Sequence, residues 1–359
     1  MQNNNVKISV IMPVYNVKDY LEKSATSIID QSFTDFELFL VDDGSSDGSE
    51  KLCDDLASKD KRIIVIHQNN QGAHNARNNA LKNAKGKYVC FFDSDDYIDK
   101  NMLSDLYNLA EKYNSELVIS GFYIRTYYSD DKFITLEYVP NIESSVVNFD
   151  NAKNFRLNAY KNFDINMFYS PWNKLYKLSY LRDNNITFPI TYRDDFPFVL
   201  SVIKDINNVT FTKNMYYNFI RKRSESETQK YVANLYDKRE EEHRQMIDLY
   251  TYWGLLDDEK SFEMIARRYI DRVIECMVNL FNEKCTLDKK EKKVLIHKFL
   301  HNENIDICIK KARPKKLYLK LMYIPIRLKN VGLSYLMSKF ICFIKSRNIK
   351  LFSILKTNR

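Results

Sequence analysis

The amino-terminal part of the chain alternates short apolar runs with segments of helical periodicity, and this order constrains the fold most. The apolar runs lack polar alternation, which is typical of strands buried on both faces. The runs cover residues 6–15, 36–41, 63–67 and 89–92, and the helical segments between them cover 18–31, 49–58 and 73–84. This order predicts an α/β fold with a mostly parallel sheet flanked by helices.

Acidic residues follow two of the predicted strands. Asp43 lies after the second strand, and Asp93, Asp95 and Asp96 follow the fourth. The carboxyl ends of parallel strands share one edge of a sheet, where ligands bind, and Arg77 lies in the helix that opens there. Clustered carboxylates repel one another unless a cation lies between them, so one interpretation is a divalent-metal site for a phosphorylated ligand. The alternative is that Asp96 and its neighbours cap the next helix.

The length of 359 residues allows two domains. We expect a catalytic domain over 1–230 and a helical domain over 231–359, because the sequence beyond about residue 228 is helical in pattern. The six cysteines form no C-x-x-C pair, which favours a reducing compartment. The absence of a signal-peptide pattern and of an apolar run of about 20 residues favours a cytoplasmic location.

The net charge of +8 is concentrated at the carboxyl end. Residues 310–359, the basic tail, contain 14 Lys and Arg and no Asp or Glu, so the preceding residues sum to about −6. Leu, Ile and Phe interleave with these cations, which fits helices lying on the anionic inner face of the plasma membrane. A packing or homo-oligomerisation domain is the alternative. We expect no nucleic-acid partner, because no nucleic-acid-reading motif accompanies the charge.

Six motifs in order resemble the family 2 glycosyltransferases of the GT-A fold, over roughly residues 6–220. They are I-S-V-I-M-P-V-Y-N at 8–16, V-D-D-G-S-x-D at 41–47, Q-G-x-x-x-A-R-N at 71–78, G-x-Y-x-x-F-x-D-S-D-D at 86–96, W-x-K-L-Y at 172–176 and D-D-x-x-F at 194–198. Within this family, the motifs are most similar to those of bacterial enzymes that build capsule, exopolysaccharide, lipopolysaccharide or wall teichoic acid glycans.

The resemblance implies a nucleotide-sugar donor, commonly a UDP-sugar, and inversion at the anomeric carbon. Pro13 and Tyr15 would border the nucleotide base, and Asp43 would accept a hydrogen bond from the uracil. Arg77 would lie near the base and the diphosphate. The acceptor would be a glycan or a lipid-linked oligosaccharide.

The resemblance also implies a Mn²⁺ or Mg²⁺ site. Asp93 and Asp95 match the D-x-D motif, with Asp93 toward ribose and metal and Asp95 on the metal. The sequence has neither G-x-G-x-x-G nor a P-loop, so phosphate has to be held by metal and side chains. Divalent cations prefer carboxylate and phosphate oxygens and neutralise the charge of a departing diphosphate.

Asp195 matches the position of the catalytic base, and Asp194 stands where the family usually has Glu. A carboxylate beside another carboxylate has a raised pKa, which makes it a better base. Trp172 and Lys174 either line the acceptor cleft or form a core tryptophan with a solvated lysine. The functional alternatives are a catalytically silent scaffold that binds sugar nucleotides or glycans, and a nucleotidyltransferase.

Overall fold

The structure is a computed structural model that describes residues 6–129, 132–191, 194–221 and 231–347. The chain divides into two compact units, Met1–Glu225 and Ser226–Arg359. The first unit contains the sheet and the second is helical.

A single mixed sheet forms the centre of the first unit. Among the described residues its strand order is β3-β2-β1-β4-β9-β6-β10-β5, with β7 beside β6 and β8 beside β10. The strands are β1 (Ile8–Val14), β2 (Phe36–Asp42), β3 (Ile63–His67), β4 (Tyr88–Phe91), β5 (Tyr97–Ile98), β6 (Leu117–Ser129), β7 (Lys132–Tyr138), β8 (Val146–Phe149), β9 (Lys174–Lys177) and β10 (Val209–Arg221).

The first four strands form one parallel block of the sheet, and β6 and β10 pair in parallel further along it. Strand β1 pairs in parallel with β2 on one side and with β4 on the other, and β2 pairs in parallel with β3. Strand β2 is buried along its whole length, as the uninterrupted apolar runs indicate. The predicted mostly parallel sheet flanked by helices is therefore confirmed. Its continuation is mixed, because β9 runs antiparallel between β4 and β6.

The helices of the first unit follow the strands in alternation over its first half. Each buries one apolar stripe, such as Leu21, Ala25 and Ile28 in the first helix. The helices are α1 (Lys18–Ile29), α2 (Ser49–Lys59), α3 (Ala73–Asn83), α4 (Met102–Tyr113), α5 (Ala152–Phe163), α6 (Leu178–Asp183) and α7 (Asp195–Lys204).

Pro13 lies where β1 extends beyond its neighbour β4. The β1–β4 register ends at the pair Ile11 and Phe91, and the backbone N–H of Phe92 donates to the carbonyl of Ile11. Since Pro13 is two residues further along the strand, its nitrogen faces the same side, past the end of β4. Proline lacks an N–H, so no ladder hydrogen bond is lost there. Beyond this point β1 is no longer paired with β4.

The second unit is the predicted helical region. Its helices are α8 (Leu235–Tyr252), α9 (Glu259–Asn279), α10 (Lys289–Leu300), α11 (Glu303–Lys311), α12 (Leu317–Arg327) and α13 (Val331–Arg347). The long helix α9 supplies much of the core, with Tyr269, Ile270 and Val273 fully or almost fully buried. In the described part of the chain, none of the helices combines the length and the apolar character that crossing a bilayer requires. Residues 348–359 of the basic tail lie outside the described residues.

Candidate active site

Arg77 connects three carboxylates at the carboxyl edge of the parallel strands. Its Nη2 lies 2.7 Å from Oδ1 of Asp93, and its Nη1 lies 3.2 Å from Oδ2 of Asp194 and 3.0 Å from Oδ1 of Asp195. The guanidinium is buried and lies over the ring of Phe188, 5.1 Å from its centroid. The sequence predicted that the acidic loop after β4 and the helix of Arg77 share one edge, and the contact between Arg77 and Asp93 confirms it.

The environment of Asp195 raises the pKa of its carboxyl group. Burial has the largest effect and raises the pKa, Arg77 lowers it, and the charges of Asp93 and Asp194 raise it, to about 7. Asp194 is the N-cap residue of α7 and Asp195 its first residue, so both carboxylates lie where the helix dipole favours negative charge. Asp195 therefore combines a position beside a cation with a pKa near neutrality, which suits a general base.

Asn78 fixes Phe188, whose ring lies under the guanidinium of Arg77. The side-chain amide of Asn78 donates to the carbonyl of Phe188 at 2.8 Å, and its side-chain oxygen accepts from the N–H of Phe188 at 2.9 Å. This reciprocal pair holds Phe188 against α3, beside Arg77. The sequence motif includes Asn78, but its structural role depends on a contact 110 residues away that no local pattern signals.

Asp96 and Tyr217 anchor the D-S-D-D segment to β10. The hydroxyl of Tyr217 donates to Oδ2 of Asp96 at 2.7 Å and accepts from the N–H of Asp93 at 3.2 Å, while the N–H of Ile220 donates to Oδ1 of Asp96 at 2.7 Å. Helix α4 begins after Asn101, so the interpretation of Asp96 as its cap is wrong. Burial and the nearby Asp95 and Asp93 raise the pKa of Asp96 well above its usual range. Nothing in the sequence pattern singled out Tyr217.

Asp43 organises the loop after β3. Its carboxylate accepts hydrogen bonds from the backbone N–H groups of Gln71 and Gly72 at 2.8 and 2.7 Å and from the amide of Gln68 at 2.8 Å. Gly72 has a φ of +88°, and a Cβ there would lie 2.9 Å from the ring of His74, which explains the glycine. Asp43 is 3% exposed, so its predicted contact with a base would involve a carboxylate already engaged by the protein.

Pro13 and Tyr15 lie at the end of β1, beside the loop that follows β2. Asn16 connects the end of β1 to this loop, because its N–H donates to Oγ of Ser45 and its side-chain oxygen accepts from the N–H of Ser46. Tyr15 is 49% exposed. The structure therefore brings Pro13, Tyr15 and Asp43 together at the ends of β1 and β2.

Trp172 and Lys174 both lie in the interior. Trp172 stacks on Tyr217 with ring centroids 4.2 Å apart. Lys174 is fully buried, and its Nζ donates to the carbonyls of Met167 and Ser170 and to Oδ1 of Asn173 at 2.5–2.7 Å. Burial lowers the pKa of Lys174 well below its usual range, although three acceptors match the three donors of an ammonium group. The interpretation of Lys174 as solvated is wrong, because the residue is fully buried.

Asp93 and Asp95 offer carboxylate oxygens at the same edge. Asp93 is partly exposed and Asp95 is exposed. Within the described ranges, no group of three or more His, Cys, Asp or Glu side chains is arranged to hold a metal ion. Mg²⁺ commonly binds through one or two carboxylates plus the phosphate oxygens of a substrate, so two carboxylates fit a metal completed by a diphosphate.

Comparison with known proteins identifies the family. The family model for glycosyl transferase family 2 matches residues 9–184. The glycosyltransferase EpsJ of Bacillus subtilis is 31% identical over 252 residues, covering 69% of this chain and 71% of EpsJ. The cholesterol galactosyltransferase of Borreliella burgdorferi is 30% identical, over 73% of this chain and 71% of that protein. The match to GlyA of Streptococcus pneumoniae is 37% identical but spans only 24% of GlyA.

The solved structures agree on the fold. Residues 1–349 of S. aureus TarS, in complex with UDP-GlcNAc, superpose with a TM-score of 0.63 over 93% of this chain and 90% of that one, at 22% identity. This likeness confirms the expected GT-A fold followed by a helical region. The sequence matches show that the chain is a glycosyltransferase and belongs to family 2.

Proposed function

We propose that this enzyme is a metal-dependent inverting glycosyltransferase that uses a UDP-sugar and extends a bacterial surface glycan or its lipid-linked precursor. The observation that carries the proposal is the contact of Arg77 with Asp93 on one side and with Asp194 and Asp195 on the other. One guanidinium thereby contacts both Asp93, proposed to bind the donor, and the two residues proposed to supply the base. Support for a UDP-sugar comes from the complex of TarS with UDP-GlcNAc, and support for a bacterial glycan from the bacterial relatives.

Asp195 would act as the base. Its carboxylate accepts the proton of the acceptor hydroxyl while that oxygen attacks the anomeric carbon and the bond from this carbon to the diphosphate oxygen breaks. A single displacement of this kind inverts the configuration. Arg77 holds Asp195 in place and partly offsets the rise in its pKa, so the carboxylate becomes ionised as pH rises through about 7. General-base catalysis contributes roughly 10²–10⁴ in rate.

Asp93 and Asp95 would hold the divalent cation together with the donor diphosphate. Mn²⁺ or Mg²⁺ bound there supplies positive charge that stabilises the negative charge of the leaving group. Asp96 and Tyr217 fix the backbone that carries both residues. Pro13, Tyr15 and Asp43 would surround the nucleotide base at the ends of β1 and β2.

The test is Asp195→Asn. Substitution removes the proton acceptor but keeps the shape of the side chain, so we expect UDP release with saccharide acceptors to fall by roughly 10²–10⁴. Calorimetry should show donor binding within about threefold of wild type. Asp55→Asn, at an exposed position of α2, is the matched control and should leave the rate of UDP release and the affinity for the donor unchanged. A near-normal rate for Asp195→Asn would show that another group is the base.

A further inference from the structure

Helix α12 presents an exposed face that is both apolar and basic. Leu321, Ile324 and Leu328 are 49%, 54% and 68% exposed, and Lys320 and Arg327 on the same face are exposed too. Their positions recur at i, i+1, i+4, i+7 and i+8, which defines one side of a helix. The opposite side is already packed in the core of the unit through Met322 and Ile326.

Helix α13 repeats this arrangement. Leu333, Leu336 and Phe340 are 39%, 62% and 62% exposed, and Lys339 beside them is exposed. The inward side carries Ser334 and Ser338, which are completely buried, and Ile341, which packs against the core. Since α13 has a separate inward side, its outward apolar residues are not needed for the fold of the unit. Large exposed apolar patches mark interaction sites.

A basic pocket lies next to α13. Its volume is about 650 Å³, and it is lined by Lys289, Lys290, Lys293, Val294 and His297 of α10 and by Val331 at the start of α13. Helix α10 is fixed at its first turn by a capping box between Asp288 and Glu291. Lys289, Lys290 and Lys293 are exposed residues, so positive charge is concentrated beside the pocket on the helical unit.

We propose that the exposed faces of α12 and α13 and the pocket of α10 bind the surface of an anionic phospholipid membrane. The pocket takes a lipid phosphate, and the Leu, Ile and Phe side chains enter the boundary between head groups and acyl chains. A second copy of the chain fits less well, because a symmetric contact would bring together residues 310–359 of both copies, whose charged residues are all basic. The proposal goes beyond glycosyl transfer and does not depend on it.

The experiment is sedimentation of the full chain with vesicles, without donor or metal. We expect binding to equimolar phosphatidylglycerol and phosphatidylcholine vesicles that is at least about tenfold tighter than to phosphatidylcholine alone. The binding should weaken in 0.5 M salt, because salt screens the charges. Equal wild-type binding to both vesicles overturns the proposal without any variant.

Two variants locate the surface. Lys289→Gln/Lys290→Gln/Lys293→Gln and Leu336→Ser/Phe340→Ser should each weaken binding at least about tenfold while the unfolding temperature stays within about 3 °C. The charge-matched control in the first unit is Lys51→Gln/Lys59→Gln/Lys61→Gln, and the apolar control is Leu157→Ser/Ile190→Ser, all at exposed positions. The proposal fails if the test variants bind as the controls do. It also fails if light scattering shows that Leu336→Ser/Phe340→Ser only dissociates an oligomer and leaves vesicle binding intact.

Discussion

Replacing Arg77 by Met tests whether one buried cation holds the site together. The methionine has a similar reach and is apolar, but it leaves Asp93, Asp194 and Asp195 without their shared partner. All three carboxylates are mostly buried, with side-chain exposures of 26%, 16% and 30%. We expect the variant to unfold more easily and to lose activity.

The expected magnitude follows from the three contacts. At an effective dielectric near 20, each pair of charges about 3 Å apart attracts by roughly 5 kcal/mol. Desolvation of the ions offsets most of this, and removing one partner of a buried ion pair costs about 3–5 kcal/mol. We therefore expect the free energy of unfolding to fall by about 3–5 kcal/mol at pH 8.

The loss should depend on pH. Without the guanidinium, which lowers it, burial and the repulsion from neighbouring carboxylates raise the pKa of Asp195 further above its unfolded value. A carboxyl group with a raised folded-state pKa favours the folded state when protonated, and this contribution is lost as pH rises through the folded pKa. The destabilisation caused by Arg77→Met should therefore be smaller at pH 5 than at pH 8, by about 1.4 kcal/mol or more, the value of one pKa unit.

The assay is urea unfolding of both proteins at pH 5 and pH 8. Arg182→Met is the matched control, because Arg182 donates to the carbonyl oxygens of Leu81 and Ala84, which do not titrate. Its effect should be the same at both pH values. If Arg77→Met destabilises by less than about 1 kcal/mol, or equally at both pH values, the three carboxylates do not depend on Arg77 for charge compensation.

Three further results are expected. Because Asp195 has a pKa raised to about 7 and must be ionised to act as a base, kcat/KM should rise with pH through about 7 and level off above it; a flat profile from pH 5 to 9 argues against this base. Tyr217→Phe removes a donor to buried Asp96, so urea unfolding should show a loss of about 1–3 kcal/mol with lower kcat; unchanged values mean that this anchor is dispensable. Asp43→Asn weakens the loop after β3, so calorimetry should show weaker donor binding; unaltered affinity removes Asp43 from the donor site.

Local pattern was sufficient for the parallel part of the fold. Strand β3 has the predicted bounds and β2 extends one residue past them, because apolar runs bounded by turn residues specify strands locally. The position of β9 could not be read in this way. It is a four-residue strand that joins β4 and β6 in antiparallel pairing, and such pairing depends on contacts distant in sequence.

In the candidate site, too, only some of the features could be predicted from the sequence. The acidic strand ends and Arg77 share one sheet edge, which follows from parallel topology. The contact of Arg77 with Asp194 and Asp195 and that of Asn78 with Phe188 each span at least 110 residues, and no periodicity encodes them. Lys174 shows the limit most clearly, because a lysine is normally solvated, whereas residues 167–173 provide three acceptors for this one at the start of β9.

The most direct measurement of the central claim is calorimetric titration of the protein with UDP-glucose, UDP-galactose, UDP-N-acetylglucosamine and GDP-mannose, with and without Mn²⁺. We expect one UDP-sugar to bind in the presence of Mn²⁺, with binding lost on removal of the metal and in Asp95→Ala. Preferential binding of GDP-mannose, or binding of a UDP-sugar that is indifferent to both Mn²⁺ and Asp95→Ala, would contradict a metal-dependent UDP-sugar site at this edge of the sheet.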